Sequence, residues 1–279
     1  MIEEVPFLGV AWACFLIAAA IYAIHLAKRG WEFGYVGTWT SLLGAAILAG
    51  GLLVRAVRVG HWLPFGVCEL ALTLALAIVS LYILLEHLVR IKEAGAFVMP
   101  LVLLVHTYAL LVFCLSSGGS EASAMAPALR SPWFGLYTLG VLVAYGFFAV
   151  ACGAGLLYLC AHVALARGVR ISPSLEAIDG LNYRAVAYGF PWLTLGLAAG
   201  SWWAWRTWGS YWHWSSAEIG ILVPWLIYAA SLHLRRWDRW SARYSALFST
   251  LGFVVVLLTL LGGYVLTGEL DVIGSLTVY

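Results

Sequence analysis

Residues 133–162 read WFGLYTLGVLVAYGFFAVACGAGLLYLCAH and contain no aspartate, glutamate, lysine or arginine. A helix needs about 20 mostly apolar residues to cross the hydrocarbon core of a bilayer, and this segment is longer than that. Comparable apolar runs lie on both sides of it. The sequence therefore predicts an all-α, polytopic membrane protein in which this segment is one transmembrane helix.

Eight such runs are present, and their ends are predicted to within a few residues. They cover residues 7–27, 36–54, 65–85, 96–115, 133–162, 186–203, 219–234 and 246–266. No internal repeat and no long linker divides the chain. We therefore predict eight transmembrane helices in a single transmembrane domain, residues 1–279.

The composition excludes an ordinary soluble domain. Of the 279 residues, 63% are hydrophobic and 10% are charged. With a formal net charge of +2 and no basic patch, we expect no nucleic-acid partner. The five cysteines lie inside apolar runs and form neither a C-x-x-C nor a C-x-x-C-H motif. This spacing excludes a dithiol oxidoreductase and a covalently attached c-type haem.

The basic residues in the connections predict the orientation, because cytoplasmic loops carry an excess of lysine and arginine. Four basic residues lie on one side, namely Arg55, Arg58, Arg130 and Arg206. Eleven lie on the other side: Lys28, Arg29, Arg90, Lys92, Arg167, Arg170, Arg184, Arg235, Arg236, Arg239 and Arg243. The larger group marks the cytoplasmic side, so both termini and the tryptophan stretch at residues 202–218 are predicted to face outward.

Between the sixth and seventh runs lies the stretch WWAWRTWGSYWHWSSAE, residues 202–218, and six of its first thirteen residues are tryptophan. Indole rings offer rigid flat surfaces to a flat ligand at low conformational cost. The guanidinium of Arg206 can pair with acidic groups on such a ligand, and the imidazole of His213 can approach a metal. Haem combines a flat macrocycle, acidic propionates and an iron that accepts imidazole. The alternative is an interfacial aromatic belt, although a belt normally needs few residues per helix end.

Four histidines lie near the predicted cytoplasmic ends of spans, namely His25, His87, His162 and His233. Each is either a headgroup-level residue or part of a metal or haem site, because ionisable groups in a membrane often mark function. In the second case His233 ligates iron while Arg235 and Arg236 meet the haem propionates. Its partner is then one of the other three histidines or a histidine of another chain.

Two further features concern contacts between helices. His106, near the middle of the fourth run, is predicted to be a neutral imidazole that hydrogen-bonds to a neighbouring helix. Gly196 and Gly200 form a G-x-x-x-G pair, which is a close-packing signal between membrane helices. With 29 glycines in the chain, however, a chance match is expected.

Several separate blocks occur in order along the C-terminal half: APALRSPW (126–133), LNYR (181–184), GFP (189–191), LTLG (193–196), WGSYWHW (208–214), and PWLIY (224–228) followed by His233. From about residue 125 to residue 279, the chain thereby resembles the CcsA/ResC branch of the cytochrome c assembly proteins, the haem handlers of system II cytochrome c biogenesis. The tryptophan block is similar to the family's WWD motif. His61 and Glu69 fit a family pattern before the third span.

The resemblance implies that haem arrives from the membrane or cytoplasmic side, helped by membrane histidines. It implies that non-covalent b-type haem is then held on the outward tryptophan motif, with two outer histidines as iron ligands. Reduced apocytochrome c presents C-x-x-C-H thiols, which add to the haem vinyl groups. A CcsB-like membrane protein and a thioredoxin-like reductant are the other implied partners. The protein mainly positions the haem and controls its redox state.

Three positions depart from the family pattern. Tyr137 and Thr277 stand where the two outer histidines are expected, and Ser215 stands where the motif has its aspartate. Tyrosinate ligates haem iron in some proteins, whereas a threonine hydroxyl is a poor ligand. We therefore expect a concave outer site near Tyr137 and Thr277, with weak or absent haem binding and with catalytic attachment left open.

The residues predicted to bind haem are Trp202, Trp203, Trp205, Arg206, Trp208, Trp212, Trp214, Tyr137 and His233, of which His233 is the predicted metal ligand. The leading hypothesis is an integral membrane haem-handling protein of cytochrome c biogenesis. One alternative is a non-catalytic scaffold subunit that binds the other subunits of a membrane electron-transfer complex. The other is a HemX-like accessory to haem synthesis.

Overall fold

The computed structural model describes residues 5–28, 31–60, 62, 64, 66–115, 130–169, 172–235 and 241–267. Within these ranges the protein consists of eight α-helices and contains no strand, which confirms the predicted all-α fold. The helices are α1 (Val5–Lys28), α2 (Trp31–Val59), α3 (Val67–Val89), α4 (Gly95–Leu115), α5 (Pro132–Ala166), α6 (Leu175–Trp208), α7 (Ser216–Leu234) and α8 (Ala242–Thr267).

Seven of the described helices are long and apolar enough to cross a bilayer, as expected of a multi-pass membrane protein. The exception is α6, which is 34 residues long. Its middle part mixes aliphatic residues with glycine, proline, tyrosine and tryptophan, and these lower its hydropathy without shortening it. Seven spans are therefore supported by length and composition, and the eighth stays a prediction.

The central helix of the bundle is α5, which packs against α3, α4, α6 and α8. Most of its side chains from Phe134 to Ala161 are buried. A helix that is apolar on all sides must be surrounded by protein or lipid, and protein covers most of this one. Ser131 caps its start and Pro132 occupies its first turn, where a missing N–H costs nothing.

The α5–α6 contact is close because glycines lie in it. A Cβ atom added to Gly196 would lie 3.1 Å from the backbone nitrogen of Val141. A Cβ atom added to Gly200 would lie 2.7 Å from the ring of Tyr137. The G-x-x-x-G pair is therefore a true packing element of this chain rather than a chance match.

Polar side chains join helices inside both halves of the bundle. In the C-terminal half, the Asn182 amide of α6 donates to the Ala151 carbonyl at 2.8 Å and to Ser249 Oγ at 2.6 Å, linking α5, α6 and α8. Such bonds between membrane helices contribute about 1 kcal/mol each. They fix the rotation of α6 about its axis, and with it the direction in which the tryptophans at its end point.

In the N-terminal half, the buried carboxylate of Glu86 on α3 joins three elements. It accepts hydrogen bonds from the Tyr22 hydroxyl of α1 at 2.7 Å and from the Thr38 hydroxyl of α2 at 2.5 Å. Lys92, in the connection between α3 and α4, places its Nζ atom 3.0 Å from the same carboxylate. The charge is therefore paired and hydrogen-bonded, as a buried carboxylate requires.

Candidate functional site

A connected group of exposed aromatic rings lies where α6 ends and α5 begins. The Trp202 ring centroid lies 5.9 Å from that of Trp133, 5.1 Å from that of Trp205 and 6.4 Å from that of Tyr211. The Trp205 and Tyr211 rings are stacked, 5.7 Å apart and 8° from parallel. Each of the four residues is 39% to 51% exposed. We call these four residues the aromatic surface.

The connection from α6 to α7 is held in shape by two helix caps. Gly209, with φ 76°, ends α6, and its N–H donates to the Trp205 carbonyl at 2.9 Å. Ser215 begins α7, because its hydroxyl accepts the Glu218 N–H. In return, the Glu218 carboxylate accepts the N–H groups of Ser215 at 3.0 Å and of His213 at 2.9 Å. The sequence pattern Ser-x-x-Glu predicts this capping box. The prediction of haem ligands from the sequence did not use that pattern.

Some of the predicted residues are exposed, and their role in binding stays a prediction. Trp202 and Trp205 belong to the aromatic surface, and Trp214 and Arg206 are also exposed. Trp214 has a φ of 58°, a left-handed conformation that bends the chain just before the Ser215 cap. The sequence prediction missed the other two members of the aromatic surface, although both lie inside the quoted blocks.

The remaining predicted tryptophans are structural or half-buried. Trp203 is only 5% exposed and lies against Phe134 of α5 and against Trp208, at ring distances of 5.0 Å and 4.9 Å. Trp212 is half-buried, and its indole N–H has no hydrogen-bond partner in the described part of the chain. An unpaired buried donor is unusual and costs free energy unless a ligand or water meets it.

Tyr137, the substitute for an outer histidine, is half-buried in the α5–α6 contact. Its ring packs on Gly200 and lies 5.8 Å from the ring of Phe134. Thr277 and His61 lie outside the described residues. The predicted proximity of Thr277 to Tyr137, and the predicted concavity of the site, therefore stay predictions.

His233 lies at the opposite end of α7 from the tryptophan stretch. At 1.5 Å per residue, it is roughly 27 Å along the helix axis from the Ser215 cap, so one haem cannot contact both places. The Arg235 guanidinium donates to both carboxylate oxygens of Asp179 and to Ser245 Oγ, and it lies 4.7 Å from the Tyr183 ring centroid. A haem propionate at Arg235 must therefore compete with Asp179. Arg236 lies outside the described residues.

The other membrane histidines differ in their surroundings. His25 is buried, with Nε2 4.0 Å from Glu93 Oε1, whereas His87 and His162 are exposed. In the described residues, no three histidine, cysteine or acidic side chains are placed to hold a metal ion together. His106 is fully buried, and neither ring nitrogen has a hydrogen-bond partner. The predicted bond from His106 to a neighbouring helix stays a prediction: the ring lies beside Phe15, and the backbone of Leu8 on α1 interacts with it, although no bond of full hydrogen-bond geometry is present within the described residues.

A haem fits the residues at the end of α6 better than those around His233. The aromatic surface offers flat apolar rings, the exposed Arg206 offers a cation, and Trp212 offers an unpaired N–H group. A flat, largely apolar ligand with acidic groups at its edge is the class that such a site accepts. At the other end, the nearest described guanidinium is already paired.

Comparisons with known proteins show the family to which the chain is similar. The model of the family described as Cytochrome C assembly protein matches residues 65–268. A relative named Cytochrome c biogenesis protein CcsA, from Trieres chinensis, is 28% identical over 88% of this chain and 89% of its own. The protein of that name from Chlamydomonas reinhardtii is 31% identical over 76% of this chain and 60% of its own.

A solved structure named Cytochrome c Heme Lyase CcmF has a similar fold, with a TM-score of 0.67 and 16% sequence identity. The similarity covers 92% of this chain and 46% of that chain, so this chain spans about half of its length. At this identity the comparison shows the fold alone. The family match, which spans most of the chain, confirms the resemblance predicted from the sequence. The chain belongs to the cytochrome c assembly protein family.

Proposed function

We propose that this chain is an integral membrane haem-handling protein of cytochrome c biogenesis. In this proposal the aromatic surface holds haem and presents it for attachment to apocytochrome c. The observation that carries the proposal is the connected set of four exposed rings at one end of the bundle. An aromatic area of this size is covered by a ligand, a partner or the lipid interface, and its continuity across two helices favours a ligand over a belt of separate anchors.

Different side chains have different roles in the proposed binding of haem. The exposed rings would contact the apolar macrocycle from different angles, since the Trp202 ring is tilted by 45° to 54° from its three neighbours, and Arg206 would pair with a propionate. Trp203 and Phe134 pack α6 against α5 and so hold the aromatic surface in a fixed position on the bundle. The Ser215–Glu218 capping box holds the connection that carries Tyr211. The haem, once held, supplies the vinyl groups to which apocytochrome thiols add.

The topology and the partners form part of the same proposal. Residues 1–279 form one domain with eight spans, and both termini and the aromatic surface face outward from an inner or thylakoid-type membrane. Apocytochrome c, a CcsB-like membrane protein and a thioredoxin-like reductant are the proposed partners. His233 would be the residue that holds an incoming haem at the cytoplasmic end, as the family resemblance implies.

The two alternative functions find less support. A scaffold subunit or a HemX-like accessory has no need of a stacked, exposed aromatic surface, whereas a haem-presenting protein does. The similar proteins from Trieres chinensis and Chlamydomonas reinhardtii carry names that refer to cytochrome c biogenesis. We therefore retain the assembly role.

The proposal is tested by the yield of mature cytochrome c in cells that depend on this chain. Replacing Trp202 and Trp205 by alanine removes two ring contacts, each worth about 1 kcal/mol, and should weaken haem binding about 30-fold and thereby lower haem-stained cytochrome c. The control is Trp39→Ala, which removes an exposed tryptophan of α2 far from the site. Equal yields in the parent strain, the double variant and the Trp39→Ala strain, at equal levels of the protein, would contradict the proposal.

A further inference from the structure

The connection between α6 and α7 carries an imidazole beside the aromatic surface. His213 lies two residues after Tyr211, and 36% of its side chain is exposed. Its ring meets the Trp208 ring edge to face, with centroids 5.2 Å apart and planes at 77°. The imidazole therefore contacts an indole on one side and is partly exposed to solvent.

The carboxylate of Glu218 faces one edge of the imidazole. Nδ1 of His213 faces Glu218 Oε1 at 3.8 Å, while Oε2 of the same carboxylate accepts the backbone N–H of His213. A carboxylate facing Nδ1 favours the proton on that nitrogen and leaves the lone pair on Nε2. Histidines that ligate metals usually have such a carboxylate behind them, which orients the ring and raises its basicity.

The fold of the connection does not need this imidazole. Glu218 holds the turn through the backbone N–H groups of residues 213 and 215, and these bonds are independent of the side chain at position 213. The 3.8 Å separation is also too long for a direct hydrogen bond between the side chains. A partly exposed imidazole that faces a carboxylate is thus left for a role other than capping.

We propose that His213 is the protein's axial ligand to the iron of haem held at the aromatic surface, with Nε2 as the donor and Glu218 as the group that positions it. This inference rests on the proposed function, since it needs haem at that surface. It explains how the site can work although tyrosine and threonine replace the two outer histidines expected from the family. The ligand comes from the tryptophan stretch itself.

The test uses the full-length chain in mild detergent, in a His233→Ala background that removes the proposed second haem position. Hemin is titrated into this parent, into its His213→Ala variant and into its Thr207→Ala variant. Thr207 is a matched control, since its hydroxyl donates only to the helix carbonyl of Trp203 in the preceding turn. Optical and electron paramagnetic resonance spectra report the axial ligand directly.

We expect His213→Ala to weaken hemin binding about tenfold or more and to change the spectrum to that of iron without imidazole. Added imidazole should restore the parental spectrum. Glu218→Gln, which keeps an acceptor oxygen for the backbone, should retain binding but raise the midpoint potential, because the ligand becomes less basic. Thr207→Ala should match the parent.

Two results overturn the inference and are distinguishable. If the parent binds hemin but His213→Ala has the same affinity and spectrum, another residue ligates the iron and the proposed function stands. If the parent binds no hemin, the proposed function fails together with the inference. Should the alanine variant fold poorly, His213→Met serves instead: a ligand role predicts a thioether-ligated spectrum with a higher potential, and an unchanged spectrum overturns it.

Discussion

Gly140 of α5 and Gly196 of α6 are in direct backbone contact: a Cβ atom on Gly140 would lie 2.9 Å from the Cα of Gly196. The carbonyl oxygen of Trp192 would be equally close. No side chain lies between the two helices here, so their backbones set the distance. The aromatic surface depends on this contact, because it joins residues from α5 and α6.

Gly140→Ala should destabilise the protein by about 1–3 kcal/mol, because a methyl group at this position meets backbone atoms that cannot rotate away. Thermal unfolding in detergent measures the effect. Gly180→Ala is the matched control, since a Cβ at that α6 position meets nothing within 4 Å. Equal melting temperatures for the two variants would contradict the close contact.

Ser215→Ala should cost about 1 kcal/mol, because it removes the hydroxyl that accepts the Glu218 N–H at the start of α7. Ser215→Asp should be tolerated, since aspartate caps helices as well as serine does. Hydrogen exchange of the amides of residues 213–218 measures the local effect. Faster exchange in the aspartate variant than in the alanine variant would contradict the capping role.

The buried network around Glu86 predicts strong coupling between two substitutions. Lys92→Met should cost about 2–5 kcal/mol, because it leaves the Glu86 carboxylate without its cation. Combining it with Glu86→Gln should cost less than the sum of the two single changes, by about 0.5–3 kcal/mol. Additive losses in a thermal-unfolding cycle would show that the pair does not interact.

Much of the fold follows from the sequence, because each apolar run marks the part of a helix that lies in hydrocarbon. The first and last residues of the helices are predicted less well. The sixth run predicts residues 186–203, whereas α6 begins at Leu175, after its Ser174 cap. The extra turns carry Asp179 and Asn182, which are held by Arg235 and by Ser249. Hydropathy does not report such partners from other helices.

The site was predictable in position but not in detail. The tryptophan stretch predicts the position of a site for a flat ligand. Its composition does not predict which of the indoles are exposed. The packing glycines contain that information: Gly196, Gly200 and Trp203 follow a spacing of four and three residues and therefore share one helix face. That face packs on α5, which buries Trp203 and turns Trp202 and Trp205 outward. The contribution of Trp133 comes from α5 and needs the tertiary structure.

The proposed orientation makes a prediction about reporter fusions. A reporter attached after Tyr279 should be active only in a periplasmic or lumenal assay, because eleven of the fifteen basic residues lie on the opposite side. A fusion after Val169, in the connection between α5 and α6, should show the reverse pattern. The same compartment for both reporters would overturn the proposed number of spans or their direction.

The measurement that tests the central claim most directly is hemin binding by the aromatic surface itself. The His233→Ala chain, purified in mild detergent, is titrated with hemin and compared with the same chain carrying Trp202→Ala and Trp205→Ala, and with one carrying Trp39→Ala. Two lost ring contacts of about 1 kcal/mol each predict about 30-fold weakening for the double variant and no change for the Trp39 control. Saturable binding of equal affinity in all three proteins, or no binding in any, would contradict haem handling at this surface.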